Sequence, residues 1–212
     1  MRSDFLAIER WVNSKARVLD IGCGDGALLR HLQAAKQVRG LGVEIDEQKI
    51  LDCVAAGIEV IEQDVDRGMT NFADDSFDTV LLTQTLQAVH RPDFVLEEML
   101  RVGKECVITF PNFGHWQARR YLLWRGKMPV SKFMPYSWYN TPNIHFCTVK
   151  DFEQLCSERG IRILHRSFES RSNGEATRSA LVDRWPNMLA THALYHVTRK
   201  GGLQLPGVTA HC

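Results

Sequence analysis

The stretch that most constrains this chain is Val18-Leu-Asp-Ile-Gly-Cys-Gly-Asp-Gly26. A short, mostly apolar run, Val18 to Ile21, predicts a buried parallel strand. It stops at Gly22, Gly24 and Gly26, and from Ala27 the sequence Ala-Leu-Leu-Arg-His-Leu takes up helical spacing. Strand, glycine turn and helix together form a ligand loop, because glycine lets the backbone turn sharply and lets a ligand approach closely. The free N–H groups of the following helix then face that ligand.

The glycines read G-x-G-x-G, not the G-x-G-x-x-G of a dinucleotide fold, which seats a pyrophosphate on a helix N-terminus. Asp20 precedes the first glycine and Asp25 lies inside the loop. Two carboxylates repel a pyrophosphate and attract a ligand carrying an ammonium and a sulfonium, which favours S-adenosylmethionine over NAD. The stretch resembles motif I of the class I S-adenosylmethionine-dependent methyltransferase fold. The plainer alternative, a tight turn with solvated aspartates, is disfavoured by acids further along the chain that fall where such a ligand needs them.

The 212 residues, 44% hydrophobic and 24% charged, suit one globular domain with a good core. A net charge of +1 gives no sign of a nucleic-acid partner. No run of about 18 apolar residues marks a membrane span, and the first residues lack the apolar segment of a signal peptide. The six cysteines form no C-x-x-C pair and no Cys/His ligand cluster, so reduced thiols, no metal and a cytoplasmic location are expected. Cys23 is expected to fill a tight turn and not to act as a nucleophile.

Helical spacing over Asp4 to Val12, with Ser3 as cap, precedes the first strand. Arg39 to Glu44 reads as the second strand, Glu47 to Ala56 as a helix ended by Gly57, and Ile58 to Gln63 as the third strand. Glu44 ends its strand where a carboxylate accepts hydrogen bonds from ribose hydroxyls. Phe77 to Thr83 is the fourth strand, a helix starts at Pro92, and Glu105 to Phe110 is the fifth strand. A helix from Val149, capped by Thr148 with Asp151 completing a capping box, precedes a sixth strand, Ile161 to Phe168. Glu169 to Arg178 reads as a loop, Trp185-Pro186 as the start of a short helical piece, and Leu194 to Thr198 as the seventh strand. The expected architecture is α/β: a Rossmann-like, doubly wound seven-stranded sheet of class I methyltransferase type, in which the last strand runs antiparallel. Residues 1–200 are expected to form one domain and 201–212 a disordered tail.

Residues 111–146, an insertion after the fifth strand, are unusual in composition. They hold Phe113, Trp116, Tyr121, Trp124, Phe133, Tyr136, Trp138, Tyr139 and Phe146, with Arg119, Arg120, Arg125, Lys127 and Lys132. No Asp or Glu occurs between Glu105 and Asp151. Gln117 to Trp124 reads as a helix, and Pro129, Pro135 and Pro142 keep the rest irregular. Aromatic residues mixed with arginine suit a partner surface or a lid. RNA is the lesser alternative, because no stacking module is recognisable.

Methyl transfer needs alignment of nucleophile, methyl carbon and sulfur more than covalent help, with a base for the acceptor's proton. The sequence names no such base: His90, His115 and His145 are candidates by residue type alone. The chain also departs from the methyltransferase pattern. It has Val102-Gly-Lys where Pro-Gly-Gly is usual, Ala88 where many members carry a histidine, and no [DN]-P-P-[YF] signature. The motif-I resemblance implies a cofactor, S-adenosylmethionine or S-adenosylhomocysteine, at the loop residues Gly22, Cys23, Gly24 and Gly26. It further implies Asp20 toward the ammonium, Glu44 and Ile45 at the ribose, Asp64 and Val65 at the adenine, and Gln84 at the methionine moiety.

Gly42-Val-Glu-Ile-Asp, Ile61-Glu-Gln-Asp-Val-Asp, Leu82-Thr-Gln-Thr-Leu-Gln, Phe110-Pro-Asn-Phe-Gly-His-Trp and Trp138-Tyr-Asn-Thr-Pro-Asn-Ile-His-Phe-Cys-Thr narrow the resemblance. With the glycine loop they resemble the MetW family of methionine biosynthesis over about residues 1–200. That implies a cytoplasmic bacterial protein acting with a MetX-type homoserine O-acyltransferase, as activator or regulator, with no nucleic acid or membrane partner; homo-oligomerisation stays open. The alternative is an active small-molecule methyltransferase with the insertion as its lid.

Overall fold

The computed structural model describes residues 3–130, 136–142, 144–172 and 175–199. Lys132, Phe133 and Pro135 of the insertion, Cys212 and the expected tail over 201–212 lie outside the described residues, as does the side chain of Ser3.

Helix α1 (Ser3–Trp11) leads into β1 (Arg17–Ile21), α2 (Ala27–Lys36), β2 (Arg39–Glu44), α3 (Glu47–Ala55) and β3 (Val60–Glu62). A single 3-10 turn, Val65–Arg67, precedes β4 (Phe77–Thr83), α4 (Pro92–Val102) and β5 (Gly103–Pro111). Then come α5 (Trp116–Arg125), α6 (Val149–Glu158), β6 (Ile161–Ser172), β7 (Glu175–Thr177), α7 (Ala180–Arg184), α8 (Pro186–Leu189) and β8 (His192–Arg199). The sheet order is β3-β2-β1-β4-β5-β8-β6-β7. The first five strands pair in parallel, and β8 enters antiparallel between β5 and β6.

The strands alternate between two apolar layers. Leu19 and Ile21 of β1, Val80 and Leu82 of β4, and Cys106, Ile108 and Phe110 of β5 pack on one face with α4 and α6. Val18, Leu81 and Val107 point to the other, against α1 and α2. Burial on both faces explains why these strands read as continuous apolar runs. Each fully buried Leu or Ile contributes about 2 kcal/mol of transfer free energy.

The seven expected strands are present, and β7 adds a short eighth. Glu169 to Arg178, expected as a loop, instead extends β6 and turns into β7 through the pairs Ser170↔Thr177, Arg171↔Ala176 and Ser172↔Glu175. The segment's sequence is polar, so no hydrophobic alternation announces this edge hairpin; backbone pairing and the Arg178–Glu169 ion pair (2.6 Å) hold it. The third strand is shorter than expected. The capping box at Thr148 is formed, with the Asp151 N–H on Thr148 Oγ1 (3.3 Å) and the Thr148 N–H on Asp151 Oδ2 (3.0 Å). Among the described residues, no helix is long and apolar enough to cross a membrane.

Candidate functional site

The site grows from the C-terminal ends of β1, β2 and β4, where a parallel sheet presents its ligand crevice. All three loop glycines take positive φ, and Gly22 and Gly24 differ in what surrounds them. At Gly22 (φ +67°) a Cβ would meet Thr85 Oγ1 at 2.6 Å, so the loop after β4 sits directly against this backbone. At Gly24 (φ +59°) there is open space. Its N–H donates to Glu44 Oε2 (2.9 Å), while Glu44 Oε1 accepts from the N–H groups of Ile45 (2.9 Å) and Asp46 (3.2 Å). Glu44 is therefore held in place by three backbone donors at the tip of its strand.

Gly22, Glu44, Ile45, Asp64, Val65 and Gln84 line a common cleft of ≈ 500 Å³, together with Asp46, Lys49, Asp66, Thr85, His90 and Pro142. Asp20, Cys23, Gly24 and Gly26 are not on its wall. Asp20 is buried in β1, and its charge helps push the Cys23 thiol up. Cys23 turns inward, its Sγ 3.8 Å from Cys53 Sγ; burial first, then Asp20, raises its pKa far above that of a reactive thiol. Cys23 is thus a packing residue of the turn. Gly26 caps α2, close to Ile58 and Cys53. Asp25, read from the sequence as facing a ligand, accepts from the N–H of Ala27 (3.1 Å) at the helix start.

On the opposite wall, Asp64 Oδ1 accepts from the Asp66 N–H (3.0 Å) and begins the 3-10 turn, with Oδ2 3.3 Å from Arg67 Nε. Asp66 escaped the sequence reading. Its Oδ1 accepts from the N–H groups of His90 (3.0 Å) and Arg91 (2.9 Å), and the His90 ring lies 3.2 Å from Oδ2. Burial opposes ionisation of Asp66, but these donors hold its pKa below the usual carboxylate value. Gln84 adopts φ +58°, its N–H donating to Thr109 O (3.0 Å), and Gln87 Nε2 donates back to Gln84 O (2.8 Å).

The insertion returns to this site. The N–H groups of Ile144 (2.8 Å) and His145 (3.0 Å) donate to Gln87 O, His145 Nε2 lies 3.1 Å from His90 O, and Pro142 joins the cleft wall. His90 and His145 therefore meet at the mouth. His115 is elsewhere: it caps α5, accepting from the Gln117 N–H (3.3 Å), and burial lowers its pKa. Thr85 and Pro142 also escaped the sequence reading. The signal for Thr85 was its place just after a strand end facing the glycine loop, and for Pro142 the Thr-Pro-Asn break before a run of hydrogen-bonding backbone.

The family model described as "Methionine biosynthesis protein MetW" matches residues 2–197. The chain belongs to the MetW family. It is 35% identical over 186 residues to the bifunctional methionine biosynthesis protein MetXA/MetW of Rhodopirellula baltica, covering 84% of this chain but only 29% of that relative's length. It is 30% identical over 181 residues to a demethylmenaquinone methyltransferase of Bacillus velezensis, covering 74% and 76% of the two chains. A crystal structure of a possible histamine N-methyltransferase from Thermotoga maritima superposes with a TM-score of 0.67 at 16% identity, over 93% of this chain and 88% of that one. The architecture of this MetW-family chain is thus that of S-adenosylmethionine-dependent methyltransferases, with an aromatic insertion after β5.

Proposed function

We propose that the cleft binds S-adenosylmethionine or S-adenosylhomocysteine, and that the chain acts with a MetX-type homoserine O-acyltransferase as its activating or regulating subunit. The observation that carries this reading is the Rhodopirellula relative, whose name joins MetXA and MetW in one bifunctional chain. Two activities kept on one polypeptide work in the same pathway and at high effective concentration.

The residues fit the nucleoside. Glu44 keeps one of its roughly four lone-pair sites, on Oε2, beyond its three backbone donors, which supports it as acceptor for a ribose hydroxyl. Asp64 offers a carboxylate across the cleft for the adenine amino group, with Val65 and Ile45 as apolar flanks. Gly22 and Gln84 bound the end nearest the glycine loop, where the methionine moiety belongs. When bound, S-adenosylmethionine supplies an electrophilic methyl group on a sulfonium. Glu44, Asp46, Asp64 and Asp66 outnumber Lys49 on the wall and leave the cleft acidic, which suits a cationic ligand.

The reading is tested by homoserine O-acyltransferase activity of the purified MetX-type enzyme, with and without this chain, across S-adenosylmethionine concentrations. A rate that responds to the chain supports it. If nucleoside and partner are linked, each alters the other's affinity by the same factor. A rate indifferent to the chain, with no complex formed, sinks it.

A second reading, methyl transfer by the chain itself, draws on the His90 ring beside Asp66 at the cleft mouth and on the Bacillus methyltransferase relative. Label passing from methyl-marked S-adenosylmethionine into a metabolite decides for it.

A further inference from the structure

Helix α5 is built from Trp, Tyr, Leu and Arg, yet Ala118 is its one side chain buried against the body. Leu123 is 80% and Trp124 78% exposed. A ten-residue helix is marginal alone in water, and here the domain's core contributes little to holding it. Beside it Tyr121, Trp124, Pro129 and Val130 line a recess of ≈ 610 Å³ with Arg120 and Arg125.

The second half of the insertion repeats this. Trp138 and Tyr139, rings edge to face at 5.7 Å, are 74% and 73% exposed. Both halves tie to one rigid turn: Phe146 packs on Phe113 (4.7 Å) and Arg119 Nε donates to Gly114 O (2.6 Å). Asn112 clamps that turn, accepting from the Gly114 N–H (3.0 Å) and donating to Ala190 O (2.8 Å). The face is also of one sign. No carboxylate occurs between Glu105 and Asp151, and Arg120, Arg125 and Lys127 pair with none among the described residues.

We infer that α5 and the Trp138–Tyr139 segment form one docking face for an acidic surface with an apolar socket on the acyltransferase, with Trp124 as anchor and Arg120 and Arg125 as its charge partners. The inference rests on the proposed function above and adds where the partner sits. Exposed Trp and Arg around a recess are the residue types that carry interface free energy. The face extends to the cleft rim, because Pro142 belongs to the same segment. A second copy is disfavoured: in a two-fold interface the arginines of both copies would lie opposed. RNA is disfavoured because a net charge of +1 leaves no extended electropositive footprint outside this face.

The test is the affinity of the full chain for the purified MetX-type enzyme, by calorimetry and sedimentation, for the wild type, Trp124→Ala and Arg120→Glu/Arg125→Glu. Each variant is expected to weaken the complex by about 30-fold or more. Both are expected to keep wild-type S-adenosylhomocysteine binding and melting temperature, since these side chains are exposed. The wild-type complex is expected to weaken with salt. If the wild type binds and the variants bind equally well, the face is wrong while the proposed function stands. If the wild type does not bind, the proposed function falls and the inference with it. Self-association lost in Trp124→Ala, or RNA binding lost in the arginine variant while the complex is unaffected, reassigns the face and overturns the inference.

Discussion

The backbone N–H of Gly24 donates to Glu44 Oε2 at 2.9 Å, joining the glycine loop to the tip of the next strand across 20 residues. The loop and the carboxylate are therefore one unit: the residue proposed above to meet the ribose also holds the backbone around it. Glu44→Gln keeps the shape and removes the charge. Affinity for S-adenosylhomocysteine, measured by calorimetry, is expected to fall about 30-fold or more, the loss of charge-assisted hydrogen bonds.

Gly22→Ala sets a methyl group against Thr85 and forces alanine into φ +67°. The expected cost is about 1–3 kcal/mol in urea unfolding, with weaker nucleoside binding as the loop after β4 is displaced. Thr85→Ala removes the atoms that would clash and leaves the backbone strain. The double variant is expected to recover part of the stability and not all of it.

Asn112 has both ends engaged in the interior: its amide donates to the carbonyls of Pro186 (3.3 Å), Asn187 (3.3 Å) and Ala190 (2.8 Å), and its oxygen accepts from Gly114 and Val149. Asn112→Ala strands these groups and is expected to cost on the order of 3 kcal/mol. Asn112→Asp, which keeps the acceptor but turns a carboxylate toward three carbonyls, is expected to be no better. Denaturant midpoints of the two variants check this.

His196 lies within the sheet, its Nε2 2.9 Å from Glu105 Oε2 and its ring stacked on Trp11. Burial lowers its pKa, against the pull of Glu105, and burial lowers that of His115 as well. On acidification the unfolded chain takes up these protons first, so stability falls as pH drops below about 6.5. The urea midpoint is expected to be lower at about pH 5.5 than at about pH 7.5, and His196→Gln to show a smaller difference.

How much of this was legible in the sequence varies with the physics behind each element. Strands β1, β4 and β5 announced themselves because both their faces are buried, as at Val18 and Leu19, whereas β3, with no fully buried residue, is shorter than its sequence suggests. The place of Glu44 and Asp64 on the cleft wall was legible because strand ends border the crevice of a parallel sheet. The carboxylates of the loop were not: Asp25 has a local backbone donor in Ala27, and Asp20 lies inside the domain. Asp66 was missed because its partners, His90 and Arg91, lie some distance along the chain, and no local pattern marks such a long-range cap. The β6–β7 hairpin went unread because Glu169 to Arg178 is polar and carries no apolar alternation, while backbone pairing forms it.

The position of β8 between β5 and β6 has a consequence for how the chain assembles. All five parallel strands, and with them every part of the cleft wall except Pro142, are available once synthesis has passed Pro111. β6 has no place in the sheet until His192–Arg199 has emerged from the ribosome, because its long pairing is with β8. The half that carries the candidate nucleoside site is thus free to form early, while the far half waits for a strand that arrives late and closes the sheet from within.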